Sequence, residues 1–229
     1  SGMEDLYDID GSLNEQKLET IGEQAGYPNK FDPNNIGDKD VIYIGATTSR
    51  DVPKIMAIAS QGSSLYIYEI SPEMIQGKKG TICSGYWELT PETGLVEGKL
   101  PVATSAYFDR MFYYAVGNKI YRADLTRSTP RSYEIYAHPD PSVRITRLKF
   151  RSQREDRWDI SGGDEVEAIP YDFVSYLGGV AEYPDGNCSM LEMKLTAAGE
   201  IDKEEGTKDL MVYEFKGFKN VVDFVYAFK

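Results

Sequence analysis

His138 is the only histidine in 229 residues, and Cys83 and Cys188 are the only cysteines. A hydrolytic triad needs a histidine beside a Ser or Cys nucleophile and a third group to orient it. His138 stands in the turn His138-Pro139-Asp140-Pro141, where it is expected to face solvent. There is no C-x-x-C pair to start a zinc site. The two cysteines permit one disulfide at most, and both are expected to be small buried side chains. Asp8-Ile9-Asp10-Gly11 resembles half of a calcium loop. With Gly11 at the sharp turn, Leu6 and Lys17 fall where the first Asp and the bidentate Glu belong, so the stretch reads as a polar turn. No G-x-S-x-G, P-loop or dinucleotide fingerprint occurs. The residues therefore assign no catalytic group, no metal ligand and no cofactor.

Two residue classes remain. The first is the carboxylates, 37 Asp and Glu. Glycoside cleavage needs two acids roughly 5–9 Å apart. Asp109, Asp140, Asp164 and Glu165 fall in predicted loops, but such abundance makes most carboxylates solvated surface. The second is aromatics in polar surroundings. The flat C–H faces of sugars stack on Trp and Tyr, while carboxylates and amides bind their hydroxyls. Trp158 in the charged stretch Arg151–Asp164, with Tyr171 nearby and Asp164 and Glu165 beside it, forms the first candidate ligand-binding group. Tyr86 and Trp87, adjacent on a predicted outer strand, form the second. Trp is highly buried on average, so packing is the expected role of Trp87. For Trp158, ligand stacking and pinning of its own loop are both open.

The elements that must position these groups are organised around Met111 to Leu125, MFYYAVGNKIYRADL. It reads as two strands joined by Gly117-Asn118, with glycine where a type II′ turn needs positive φ. The incoming strand is apolar on both faces and is expected between layers. The outgoing strand alternates, with Arg122 and Asp124 on a face expected to be wet. Weaker copies lie at Ile55–Ile70 and Gly179–Leu195. Their corner glycines, Gly62, Gly117 and Gly186, are about 55 and about 69 residues apart, in the range of propeller or array repeats. The longer gap is accounted for by reading Arg151–Asp164 as an inserted loop. Pro72–Gly80 likewise reads as a polar excursion.

The expected fold is all-β, a β-propeller-like array of four-stranded antiparallel units, a partial or small propeller. Units span about 40–89, 102–136 and 143–216 within a domain at 38–229, and an extra strand is expected at 221–228. Residues 1–37 read as an irregular segment with one short helix at Asn14–Gln24.

Composition narrows the partners. A 41% hydrophobic fraction with 17 Tyr and 9 Phe describes a folded β-rich chain. A net charge of −12 argues against nucleic acid and against adhesion to an anionic membrane. No apolar run approaches the roughly 18 residues of a membrane helix, so no direct membrane insertion is expected.

AVGNKIYRADL, ITRLKF and the ending FKNVVDFVYAFK are similar to the C-terminal half of the PKD-like family of bacterial surface lipoproteins, over roughly residues 40–229. That resemblance implies a propeller-like region, a cell-surface or periplasmic location in a Gram-negative bacterium, and companionship with Sus-type glycan-uptake systems. It supplies no catalytic residues. The chain has neither the family's PKD-like domains nor a lipobox cysteine. The leading expectation is a non-catalytic surface-exposed binding module of a glycan-acquisition system, taking a polysaccharide or an outer-membrane partner protein. The alternative is a glycoside hydrolase or polysaccharide lyase using loop carboxylates. A third is an interaction protein whose outer strands pair with another chain. The oligomeric state is open.

Overall fold

The structure is a computed structural model that describes residues 39–46, 55–62, 64–75, 78–89, 100–104, 111–127, 129–159 and 167–227. For residues 44, 46, 55, 70–75, 78–85, 104, 153–159 and 167–173 it describes the backbone alone. The expected irregular segment 1–37 with its helix, the Asp8–Gly11 turn, Asp109, Asp164 and Glu165 lie outside the described residues.

Every regular element described is a strand. Twelve strands form three four-stranded antiparallel sheets, each in simple chain order and none closed on itself. The first holds β1 (Asp40–Ala46), β2 (Ile55–Gln61), β3 (Ser64–Ile75) and β4 (Lys78–Leu89). The second holds β5 (Val102–Thr104), β6 (Met111–Val116), β7 (Lys119–Asp124) and β8 (Ser132–Ala137). The third holds β9 (Arg144–Asp159), β10 (Glu167–Glu182), β11 (Asn187–Leu195) and β12 (Val212–Lys219). The chain divides into two compact units, the first sheet in one and the other two sheets in the second.

The glycine corners fold as their chemistry requires. Gly62, Gly117 and Gly186 have φ of 59°, 60° and 84°. Asn118 is not among the positive-φ residues, which fits a type II′ turn, where the first central residue alone is left-handed. The third corner is a longer type. Gly186 donates to the Tyr183 carbonyl and Tyr183 to that of Asn187, while the Asp185 carboxylate takes the Asn187 N–H.

In the first unit, Met56, Ile58, Leu65, Ile67, Trp87 and Leu89 are buried on one face of the sheet. Ala57, Ala59 and Tyr68 cluster on the other, with Tyr66 and Tyr86 packed beside them.

In the second unit, sheets two and three share one core. Met111, Tyr113, Ala115 and Ile120 pack with Leu148, Leu177, Leu191 and Met193. Both faces of β6 are buried, since Phe112 and Tyr114 are at 0% exposure too. The sheets are also stitched through backbone. The Gly117 carbonyl accepts the N–H of Ile145 on β9 at 2.9 Å, while the Asn118 carbonyl accepts that of His138 at 2.8 Å and holds the end of β8 against the same corner. In return, the β11–β12 connection offers two carbonyls to sheet two. Tyr113 Oη donates to Gly199 O at 2.8 Å, and Arg122 Nη1 donates to Ala198 O. Gly199 is left-handed at φ 77°, and a Cβ there would sit 2.8 Å from Tyr113 Oη.

Four expectations are corrected. Arg122 is not on a wet face: its side chain is 14% exposed and is held by Ala198 and Glu200. Arg151–Asp159 is not loop but the far half of β9, laddered to β10 from Ser175↔Ser152 to Glu167↔Asp159. Pro72–Ile75 and Lys78–Gly80 likewise extend the β3–β4 hairpin. The stretches 151–157 and 78–80 are charged or polar at nearly every position, so they lack the hydrophobic alternation that marks a strand, yet their backbone groups pair. Residues 221–227, expected as a further strand, have no ladder partner among the described residues.

Candidate functional site

The lone histidine is buried, at 4% exposure, against expectation. Its fold position explains this: β8 ends at Ala137, and the turn carries the ring between sheets two and three. The Asp140 N–H donates to Nδ1 at 3.0 Å, which leaves the proton on Nε2, facing Glu214 Oε1 at 3.1 Å. Tyr183 Oη donates to the same carboxylate oxygen at 2.7 Å. Tyr136 and Tyr183 meet the imidazole edge-on. Burial raises the Glu214 carboxyl, but the hydrogen bonds from Tyr183 and His138, with the nearby Ser189 hydroxyl, outweigh it and hold the group below its usual range. The buried Ser189 hydroxyl acts in that direction without making a hydrogen bond of full geometry. Tyr136 is pushed up to about 12, first by burial and then by the Glu214 charge. Both imidazole nitrogens are engaged by protein groups, and neither meets a Ser or Cys nucleophile. The cluster is a polar pin between sheets.

The outer face of sheet three has a different character. Register places the apolar core residues Leu148, Leu177, Leu191, Met193 and Val212 on the inner face. The outer face then carries the rows Arg151–Tyr176–Lys194, Lys149–Gly178–Glu192–Tyr213, and Arg147–Val180–Met190–Phe215. A bulge follows on β12. Met190 pairs with Phe215 and Cys188 with Phe218, so three residues on β12 span two on β11. Gly217, at φ 107°, supplies the distortion. The bulge keeps Phe218 on the face of Tyr213 and Phe215. These three aromatics are 46%, 54% and 45% exposed, at a repeat of about 7 Å along the edge strand.

The β9–β10 half of this face is covered by residues 221–227, an extended strap. Its rings sit on Gly178, where a Cβ would lie 2.2 Å from Tyr226 Oη and 3.0 Å from Phe224 Cε2. Gly178 has no positive φ, so it is the missing side chain that makes the seat. The Arg151 guanidinium lies over Tyr176 at 4.5 Å and Tyr226 at 5.1 Å, and donates to Glu192 at 3.3 Å. Asp223 meets Lys149 at 3.2 Å and Arg147 at 3.8 Å. Burial pushes Tyr226 up to about 12, helped by Glu192 and opposed by Arg151.

The sequence candidates are dispersed. Trp158 pairs with Ala168 through backbone on the β9–β10 arm, and Tyr171 lies on β10 within a register shift. Tyr86 is half-buried and stacks with Tyr68 at 5.3 Å and Tyr66 at 6.4 Å, and Lys39 Nζ lies 4.6 Å over the Tyr66 ring. Trp87 is 5% exposed. Its ring is packed within the first unit, the role expected of it. The Tyr213, Phe215 and Phe218 row was missed because the third unit was expected to end at about residue 216, short of Phe218. The signal was present in Gly217 followed by another aromatic. No known protein family, curated protein or solved structure matches the chain.

Proposed function

We propose that the chain is a non-catalytic binding module, a β-propeller-like array of four-stranded sheets, that docks a partner protein through the outer face of its third sheet. The observation that carries this is the Tyr213, Phe215 and Phe218 row, three large aromatics about half exposed on one face of one strand. Contiguous exposed apolar surface of this kind marks an interaction site. Two of the three are Phe, which has no polar edge to satisfy in water and gains most from a dry protein contact. Lys194, on the same face two rows away, adds a polar edge. The resemblance to surface lipoproteins of glycan-uptake systems suggests that the partner is another component of such an assembly, at the cell surface. The array reading is supported by three consecutive sheets with identical meander order.

The test is photo-crosslinking from benzoylphenylalanine placed at 215 or 218, with position 133, where Tyr133 is also half exposed, as control. A defined protein adduct from 215 and 218 and none from 133 is expected. No adduct from either position overturns the reading. So does binding to a polysaccharide panel that Tyr213→Ala and Phe215→Ala abolish, which would make the ligand a glycan.

A further inference from the structure

Residues 221–227 hold the chemistry of a strand without its pairing. Val221-Val222-Asp223-Phe224-Val225-Tyr226-Ala227 contains no Gly or Pro and is rich in β-branched and aromatic residues. From Asp223 to Ala227 the exposure alternates, with Phe224 and Tyr226 turned inward and Asp223, Val225 and Ala227 outward. Val222 and Val225 are 76% and 79% exposed, the highest of the exposed large hydrophobics described. Among the described residues no backbone–backbone hydrogen bond reaches this segment, and the Phe224 N–H is taken by the Asp223 carboxylate. The segment is nonetheless fixed, by its rings over Gly178 and by Asp223 on Lys149 and Arg147. An ordered, β-prone segment with free backbone groups is a template for another strand.

Its position defines what that strand would meet. The strap covers β9 and β10, while the β11–β12 half of the same face lies open with Met190, Glu192, Tyr213, Phe215 and Phe218. We propose that the strap is the first strand of a second layer on sheet three, and that the docking partner completes it with an extended strand lying over β11 and β12. This rests on the docking face proposed above and names the partner's chemistry. The strand pairs by main chain with 221–227, presents apolar side chains at alternate positions to the aromatic row, and has an acidic flank facing Lys194, which lies in the outer row of Tyr176. Layers in stacked sheets sit about 10 Å apart, the distance at which side chains from the two faces interdigitate.

The probe is a short synthetic peptide of alternating valine and threonine flanked by glutamates, titrated into the full chain by fluorescence anisotropy. Two further peptides carry N-methyl groups on alternate amides, one in each phase. Strand pairing uses one phase only, so one methylated peptide should lose at least tenfold in affinity and the other should stay within about threefold of the parent. Amide exchange within 221–227 should slow on binding, and Phe215→Ala should weaken the parent peptide several-fold. Absence of binding, or equal behaviour of the two methylated peptides, overturns strand pairing. If crosslinking from 215 succeeds while the peptides behave so, the docking face stands and its mode is not a strand. If crosslinking fails as well, the docking reading itself is lost.

Discussion

Gly178→Ala is the sharpest test of the strap's seat. The new methyl would occupy the place of the Tyr226 ring, whose hydroxyl would be 2.2 Å away and whose Cζ would be 2.9 Å away. Tyr226 is the end of a movable side chain, so the ring leaves and the sheet does not deform. The loss is one cation–π contact with Arg151, worth about 0.5–1 kcal/mol near the surface. Partial burial of one aromatic ring goes with it, worth about 1 kcal/mol for half the full value. Against this, Ala in a strand interior is favoured over Gly by about 0.5–1 kcal/mol. The net is a destabilisation of about 1 kcal/mol, or about 2–4 °C in Tm at this chain length. Tyr226→Ala loses the same contacts with no strand gain and should cost about 2 kcal/mol. The local readout is sharper than the global one. Tyr226 is held at about 12 by its seat, and in Gly178→Ala its phenolate should appear close to the ordinary tyrosine value of 10.0. Ultraviolet titration, with Tyr226→Phe identifying the signal, reads this directly. If Tyr226 still titrates near 12 in Gly178→Ala, or if Gly178→Ala is less stable than Tyr226→Ala, the strap is not held by the glycine seat.

Alkali should destabilise the fold through two tyrosines. Tyr136 and Tyr226 are both raised to about 12 from 10.0, so the unfolded chain loses those protons first and stability falls as pH rises from about 10 towards 12; chemical denaturation across that range should show the decline, reduced in Tyr136→Phe. Acid acts through Glu214, whose depressed carboxyl contributes stability present above the ordinary glutamate value of 4.5 and lost as pH falls below it; Glu214→Gln should flatten that part of the pH–stability curve and destabilise the chain at neutral pH. Tyr113→Phe removes the buried bond to the Gly199 carbonyl and should cost about 1–2 kcal/mol in urea unfolding.

The all-β class and the three successive antiparallel sheets were legible because glycine corners and apolar runs are local signals. Gly117 announced its own turn, and Met111–Ala115, apolar at every position, announced a strand covered on both sides. What escaped depended on pairing or on distance. The ribbon 151–159 has charge on both faces, so nothing in its composition separates strand from loop; only the ladder to β10 does. His138 looked like a turn residue because Glu214, whose carboxylate accepts the hydrogen bond from Nε2–H, lies 76 positions further along. Phe218 was invisible as a member of the aromatic row because a strand read at period two would turn it inward, and the Gly217 bulge is what restores it to the outer face. Trp87 followed the general tendency of its residue type and is enclosed. For Trp158 and Tyr171 the backbone placement puts both on one two-stranded arm, which composition alone did not show.

The Gly117-Asn118 corner has a consequence for how the second unit assembles. Its two carbonyls accept the N–H groups of His138 and Ile145, and the reversal of the chain is what aims them there, so we expect the β6–β7 ribbon to form ahead of the docking of β9. Closing a two-residue loop is a microsecond event, whereas bringing together segments tens of residues apart is slow. The quick local step would then prepare the landing site for the slow distant one, and a refolding measurement on a corner variant such as Gly117→Val should show slower folding if that order holds.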